Sequence, residues 1–287
     1  MHAPKNPPGW PLLAGILAIA SFVSMDAVVK SLAPHYDALQ LAFFRFASGS
    51  VFAVLLWLRF RSPMPARAEW RFHAWRCGLL LLSLVGYFHA LTLLPLAQAV
   101  AMSYVAPLAT SLLAVWLLGE RPSQWIWLAL ALGVAGVGVA LWPQLQAQGG
   151  RAQVQGLASA GLSALAFSGV MVLARRQAQR DSLWTILLLQ NLGPTLLLAV
   201  PAALDWRPLH AGDLWLIALV GAFATVGLLA LTWAFSHLEA SRVAPLEYTS
   251  FLWAVLLGYL LFGEVPNAHT AVSAALIVAG CLLLLRR

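Results

Sequence analysis

The chain has 287 residues, of which 61% are hydrophobic and only 9% are charged, and its formal net charge is +7 at pH 7. Soluble globular domains carry roughly 25% charged residues, so this composition excludes that class and indicates an integral membrane protein. Because the Lys and Arg residues lie between apolar runs, the positive charge indicates membrane topology rather than a nucleic-acid partner.

Apolar runs of roughly 20 residues follow one another, which is the length a helix needs to cross the hydrocarbon core. The predicted runs are residues 11–29, 38–58, 73–93, 98–118, 124–142, 156–174, 183–203, 213–235, 243–262 and 268–285. We therefore predict an all-α integral membrane protein with about ten transmembrane helices.

The stretch 143–155 is polar with Arg151 as its one charged residue, and it contains several Gln residues beside Gly149 and Gly150. Such a stretch is typical of a linker. We predict a first repeat in residues 1–146 and a second in residues 147–287, with five helices in each. Because five is odd, the second repeat enters the membrane from the opposite side and is inverted.

Two stretches of the chain, residues 90–136 and 234–280, match each other at one constant offset without a gap. The matched pairs include Ala90 and Ala234, Leu94 and Leu238, Tyr104 and Tyr248, Leu108 and Leu252, Gly119 and Gly263, Glu120 and Glu264, Pro122 and Pro266, and Gly136 and Gly280. So many identities indicate an internal duplication rather than shared apolar composition.

The distribution of basic residues predicts the orientation in the membrane. With a cytoplasmic N-terminus, the outside segments hold only Lys30, Arg151 and Arg207. The inside segments then hold Lys5, Arg59, Arg61, Arg67, Arg71, Arg76, Arg121, Arg175, Arg176, Arg180, Arg242, Arg286 and Arg287. This asymmetry predicts that both termini lie in the cytoplasm.

The sequence resembles the drug/metabolite transporter superfamily, in its ten-helix branch with two EamA-type domains. The resemblance rests on residues 104–108, 119–122 and 133–136, on the second copy at 262–266 and 277–280, and on Phe44-Arg45-Phe46. It covers nearly the whole chain and implies two inverted five-helix repeats around a central cavity. Within the superfamily, the chain looks most like the aromatic amino-acid exporters of the YddG kind. The second copy departs from the first at Phe251, which takes the place equivalent to Pro107, and the proline of the second copy, Pro245, lies earlier.

Asp26 and Arg45 are charged residues inside apolar runs, at similar depths in neighbouring helices. Charges in hydrocarbon are costly, so they have a partner or face a water-filled cavity. One interpretation is a buried Asp26–Arg45 ion pair that fixes two helices. A second is that one or both face the central cavity and meet the charged groups of a substrate, and a third is a neutral Asp26.

Glu247 and Tyr248 follow Pro245 near the start of the ninth run, and Ser103 and Tyr104 take the matching place in the first repeat. Proline frees a backbone carbonyl, which transporters tolerate where a helix lines a cavity. We predict that these two segments meet near the midplane at a substrate site. Local helix packing is the alternative for the tyrosines, and for Glu247 the alternative is an ion pair with Arg242 at the membrane surface.

Tyr87 and His89 add polar groups to the end of an apolar run, and Trp233 aligns with His89 across the duplication. We predict them as further cavity residues. For His89, a place at the membrane interface is the alternative.

Glu120 and Glu264 are predicted to be structural rather than substrate ligands, because a carboxylate at a tight turn can accept from the free amides of a helix start. The small residues Gly133, Gly136 and Gly280 predict close packing of the fifth and tenth helices, within one chain or between two.

The sequence contains no catalytic motif, metal-ligand spacing or phosphate-binding loop, so we predict no enzyme, cofactor or metal. The leading hypothesis is a secondary transporter of a bacterial-type inner membrane that exports aromatic and other neutral apolar amino acids by alternating access. The alternatives are transport of another small metabolite or cationic drug, and a scaffold that transports nothing. The expected partners are the amino acid and the lipid bilayer, with no nucleic acid, and the protein is a monomer or a homodimer.

Overall fold

The computed structural model describes residues 9–32, 34–93, 103–145, 151–263 and 268–283. The helices in these ranges are numbered α1 to α10 in chain order. They are α1 Trp10–Leu32, α2 Ala38–Phe60, α3 Arg67–Leu93, α4 Ala106–Leu118, α5 Gln124–Leu145, α6 Arg151–Ala178, α7 Leu183–Leu204, α8 Leu214–His237, α9 Thr249–Phe262 and α10 Ala268–Leu283. A 3-10 turn at Ala211–Asp213 precedes α8, and a one-turn helix at Ala240–Val243 and a 3-10 segment at Ala244–Tyr248 precede α9.

Six spans of the described residues are long and apolar enough to cross a membrane. They are Trp10–Leu32, Leu39–Phe60, Val154–Ala178, Leu183–Leu204, Ala211–His237 and Ala240–Leu261. Two further apolar helices, Ala106–Leu118 and Gln124–Gly136, are shorter. The prediction of an all-α membrane protein is confirmed.

Two predicted boundaries differ from the structure, and a third lies outside the described residues. Helix α5 continues to Leu145 and α6 already begins at Arg151, so most of the predicted linker is helical. The predicted start of the fourth run at residue 98 lies among residues 94–102, which are outside the described ranges, and the described helix α4 begins at Ala106. The ninth apolar run is divided, because the 3-10 segment that contains Pro245 separates α9 from the one-turn helix.

The duplicated glycines end equivalent helices in the same way. Gly119 after α4 and Gly263 after α9 both have φ of 68°. This left-handed conformation satisfies the last carbonyls of a helix and is strained for residues with a Cβ. The left-handed backbone conformation therefore explains why both copies have a glycine at this position.

The helices pair in a pattern that is unchanged when the two repeats are exchanged. Helix α3 packs along α6, and the equivalent pair is α8 along α1. Helix α4 contacts α6, as α9 contacts α1, while α2 packs on α7 and α5 on α10. The principal partners of each repeat thus lie in the other repeat, as the predicted two-repeat fold requires.

The small residues of α5 and α10 serve contacts within the chain. A Cβ on Gly136 would lie 3.0 Å from the carbonyl oxygen of Ser273, and one on Gly280 would lie 3.0 Å from that of Ala129. Small residues let helix backbones approach closely in a membrane. Of the two alternatives for these glycines, the structure has the contact within one chain.

The Glu120 carboxylate is hydrogen-bonded to the second repeat rather than to the turn in which Glu120 lies. Its carboxylate accepts hydrogen bonds from the backbone N–H groups of Ala240 and Ser241, at 2.9 and 3.0 Å, and from the Ser241 hydroxyl at 2.8 Å. Arg175 Nε lies 3.8 Å from the same carboxylate. The predicted structural role is consistent with these contacts, although the amides belong to the one-turn helix of the other repeat. Glu264 lies outside the described residues.

A first polar network joins α3 to the end of α6 and the turn that follows. Arg180 and Arg176 donate to Oε1 of Glu69, at 2.8 and 3.3 Å. His73 Nε2 lies 3.0 Å from Oδ2 of Asp181. Both Glu69 and His73 are buried, so these contacts hold the two helices at one end.

A second polar network joins the segment between α1 and α2 to the start of α8. Tyr36 donates its hydroxyl proton to Oδ2 of Asp213 at 2.9 Å and accepts from the backbone N–H of His210 at 3.1 Å. His35 Nδ1 lies 3.1 Å from the same oxygen of Asp213. Because Tyr36 belongs to the first repeat and Asp213 to the second, this network also joins the two repeats.

Candidate transport cavity

A cavity of about 470 Å³ lies between the two repeats. Helices α1 to α4 contribute to its wall from the first repeat, and α6, α8, α9 and the 3-10 segment contribute from the second. The volume falls within the range of roughly 300 to 1,000 Å³ that is usual for small-molecule sites. Its apolar wall includes Phe22, Leu84, Phe167, Met171 and Leu231.

Asp26 and Arg45 both line this cavity. Their charges act on each other, but no direct ion pair joins them, and the Asp26 side chain is exposed to the cavity. The Arg45 guanidinium lies over the Phe46 ring, 4.8 Å from its centroid, and its Nε is buried without a hydrogen-bond partner in the described residues. Of the alternatives drawn from the sequence, the structure therefore favours two cavity-facing charges over a buried pair.

The Glu247 side chain lines the cavity, whereas the side chains of the residues on either side of it pack into the protein. Leu246 and Tyr248 are buried, at 2% and 1% exposure. A Cβ on Gly15 would lie 2.7 Å from Leu246, and one on Gly133 would lie 2.1 Å from the Tyr248 ring. These glycines leave room for the neighbours of Glu247 against α1 and α5, and the 3-10 backbone directs the carboxylate into the space between the repeats.

The duplicated tyrosines are in contact, but their surroundings differ. The rings of Tyr104 and Tyr248 are stacked, with centroids 5.8 Å apart and planes at 24°. Tyr248 donates to the Tyr104 carbonyl at 3.1 Å, and the Tyr104 hydroxyl lies 3.3 Å from the Ser250 hydroxyl. Tyr104 and Ser250 line the cavity, whereas Tyr248 is buried behind Tyr104 and is not part of the lining.

Tyr87 and Ser103 line the cavity and are hydrogen-bonded to each other. His89 is exposed and lies outside the lining. Trp233 is also outside it, and its indole packs on His237 with ring centroids 4.4 Å apart. The structure thus brings together six of the predicted residues, namely Asp26, Arg45, Tyr87, Ser103, Tyr104 and Glu247.

The cavity includes serines that the sequence reasoning missed. Ser163 donates to the Ser83 carbonyl at 2.7 Å, and both residues line the cavity between α3 and α6. Gly86 lies one turn further along α3, where a Cβ would lie 3.3 Å from the Ser159 carbonyl oxygen. A serine within an apolar helix usually bonds to its own backbone, so a single sequence gives no sign that these two face a cavity.

The fold and this cavity define a multi-pass membrane transporter built from two repeats. The EamA-like transporter family model matches the chain twice, over residues 9–142 and 154–286. The chain therefore belongs to the EamA-like transporter family, as the sequence resemblance predicted.

Relatives of the chain are transporters of small molecules. The chain is 30% identical over 279 residues to the pseudopaline exporter CntI of Pseudomonas aeruginosa, covering 96% of this chain and 95% of the exporter. It is 24% identical over 271 residues to the S-adenosylmethionine uptake transporter of Rickettsia conorii, covering 94% of this chain and 90% of that transporter. The narrower resemblance to aromatic amino-acid exporters stays a prediction.

A solved structure shares the fold. It superposes on the chain with a TM-score of 0.80 and 23% sequence identity, and the alignment covers 96% of both chains. Since the identity is low, this likeness supports the helix arrangement alone.

Proposed function

We propose that this protein is a secondary transporter that exports amino acids or related amino carboxylates across a bacterial inner membrane. The observation that carries the proposal is the cavity itself, which both repeats build and which places Arg45 and Asp26 in a largely apolar wall. A guanidinium binds a carboxylate through two parallel hydrogen bonds, and a carboxylate binds an ammonium group. An α-amino acid carries both groups on adjacent carbons, so it complements the two side chains.

The apolar part of the wall would take the side chain of the substrate. Phe22 and Phe167 lie near Tyr104 and Tyr87 around the same space. Aromatic rings accept apolar and aromatic groups in offset or edge-to-face contacts. This composition suits an apolar or aromatic group in the side chain of an amino acid.

Alternating access would use the paired repeats as the moving units. Each repeat packs mainly on the other, and networks at Glu69 and at Asp213 join the repeats at separate places. In transporters with inverted repeats, one repeat rocks against the other around a fixed site. We propose that breaking one network while the other holds exposes the cavity to one side at a time, with both termini in the cytoplasm.

The relatives favour a second candidate, which is transport of another small metabolite. One relative is named as an exporter of pseudopaline and another as an uptake transporter of S-adenosylmethionine. A scaffold without transport is the third candidate, and only a flux measurement separates it from the first two.

The test is counterflow in proteoliposomes. Vesicles loaded with unlabelled phenylalanine or tryptophan would take up the labelled amino acid, with methionine and threonine as competitors. Saturable, competed uptake above protein-free vesicles would support amino-acid transport. Absence of uptake by folded protein, with uptake of S-adenosylmethionine instead, would move the assignment to the second candidate.

A further inference from the structure

The cavity holds more acidic than basic side chains in the part of the chain that the structure describes. Its ionisable lining residues with these chemistries are Asp26, Arg45 and Glu247, two acids and one guanidinium. A neutral amino acid matches Arg45 and one acid, so it leaves the second acid without a partner. In a site shielded from water, a carboxylate is stable only where a cation lies beside it.

The two acids come from different repeats. Asp26, on α1, lies in the electrostatic surroundings of Arg45 and Tyr87. Glu247, in the 3-10 segment before α9, lies in those of Tyr104 and Tyr248, and no cationic side chain among the described residues pairs with it. Asp26 therefore has a cationic neighbour, whereas Glu247 has none in the described part of the chain.

The surroundings of Glu247 suit an organic cation. Tyr104 and Ser250 line the same cavity as Glu247, and the Ser250 hydroxyl is 3.3 Å from the Tyr104 hydroxyl. The face of an aromatic ring attracts ammonium, guanidinium and sulfonium-like cations, most strongly where water is excluded. The buried neighbours Leu246 and Tyr248 keep the Glu247 backbone in place, so the carboxylate is presented by a rigid segment.

We propose that Glu247, with Tyr104 and Ser250, forms a second subsite for a cationic group, so that the cavity prefers amino carboxylates that carry an additional positive centre in the side chain. The α-amino and carboxylate groups of such a substrate occupy the Asp26 and Arg45 end. The additional cation contacts Glu247, and the chain between the two lies along the apolar wall. This inference rests on the proposed function, because it assigns the substrate class of the same cavity.

The experiment uses two matched pairs of ligands. Lysine and norleucine differ by a terminal ammonium group, and S-methylmethionine and methionine differ by one methyl group that creates a sulfonium. Each is tested as a competitor of labelled substrate in counterflow, with the wild-type protein, Glu247→Gln and Glu239→Gln. Glu239 is an exposed glutamate outside the cavity, so it is the matched control.

In the wild type and Glu239→Gln, we expect the cationic member of each pair to compete at least about tenfold more strongly, as one charge-assisted contact implies. In Glu247→Gln we expect this ratio to fall to about one. Equal competition within each pair in the wild type would overturn the inference, and so would an unchanged ratio in Glu247→Gln. Loss of all transport in Glu247→Gln would instead assign the carboxylate to coupling or folding.

A binding measurement keeps the two proposals separate. The shift in melting temperature that each ligand causes in detergent reports affinity without flux. If no ligand is transported but lysine stabilises the wild type more than norleucine, and Glu247→Gln abolishes that difference, the subsite stands and the transport proposal fails. If neutral amino acids are transported without any preference for cations in either assay, the transport proposal stands and the subsite is refuted.

Discussion

Asp213, in the second repeat, accepts a hydrogen bond from Tyr36. Glu69, at the equivalent position of the first repeat, accepts one from Arg180. Asp213 precedes Ala234 by the same number of residues as Glu69 precedes Ala90, and Tyr36 and Arg180 are related in the same way. The two bonds have similar lengths, 2.9 and 2.8 Å. The acids also stand near the starts of α8 and α3, where a negative charge is favourable. The duplication has thus kept one contact between repeats and changed its chemistry.

The two contacts should respond differently to salt. Burial raises the pKa of the Tyr36 phenol, so this donor is neutral, whereas Arg180 and Arg176 are charged and partly exposed. We expect Tyr36→Phe and Glu69→Gln each to destabilise the protein by about 1 kcal/mol at low salt. The loss of stability in Glu69→Gln should become smaller as NaCl screens the ion pairs, whereas the loss of stability in Tyr36→Phe should not depend on salt. Melting temperatures in detergent across a salt series measure this, and parallel curves for both variants would contradict it.

Gly133 should be intolerant of a side chain, unlike another glycine on the same helix. A Cβ at Gly133 would lie 2.1 Å from the Tyr248 ring, whereas one at Gly138 would meet no atom of the described residues within 4 Å. We expect Gly133→Ala to destabilise the protein by about 1 to 3 kcal/mol through overpacking, with Gly138→Ala neutral or stabilising. Thermal unfolding and monodispersity in detergent provide the measurement.

The same substitution offers an internal check on the cause. In the double variant Gly133→Ala/Tyr248→Ala, the ring is absent and no longer overlaps the added methyl group. The double variant should therefore lose less stability than the sum of the losses in the two single variants. Strict additivity of the two losses would show that the strain lies elsewhere.

Arg45 should be required for substrate binding. It is the cationic side chain that lines the cavity in the described residues, so Arg45→Ala removes the partner of a substrate carboxylate. We expect affinity or transport to fall at least about tenfold, as loss of one charge-assisted contact implies. Arg59→Ala, near the exposed end of the same helix, is the control and should retain activity. A folded, fully active Arg45→Ala protein would remove Arg45 from the site.

The orientation can be measured with single cysteines. Arg61 follows α2 and Arg207 lies between α7 and α8, and both are exposed. In a background without Cys77 and Cys281, a membrane-impermeant maleimide added to intact cells should label Arg207→Cys and not Arg61→Cys. The opposite pattern would place the termini outside the cell.

The sequence predicts much of the architecture because the responsible signals are local. Helix length, apolar composition and the turn glycines depend on residues close together in the chain, and the duplication adds the two-repeat organisation. The break before α9 also follows from Pro245, which cannot continue an α-helix hydrogen-bond ladder. Most predicted runs, such as 38–58 and 183–203, differ from the observed helices by only a few residues at their ends.

Contacts between the repeats could not be predicted in the same way. Depth in the membrane places Asp26 and Arg45 at the same level, but it does not fix the rotation of either helix, so the sequence alone does not decide between the ion pair and the cavity. The division of roles between Tyr104 and Tyr248 depends on Gly133, which is distant from both in the chain. Glu120 was expected to satisfy free amides, but the sequence did not indicate that these belong to Ala240 and Ser241.

The position of Glu120 bears on how the chain is made. Helices α1 to α5 are synthesised before Ala240 and Ser241. In the folded protein, the backbone N–H groups of these two residues donate to the Glu120 carboxylate. The main partners of α3 and α1, which are α6 and α8, are also still missing at that stage. The first repeat is therefore synthesised before its principal partners exist, and its interhelical surfaces are covered only after helices of the second repeat have followed it into the bilayer.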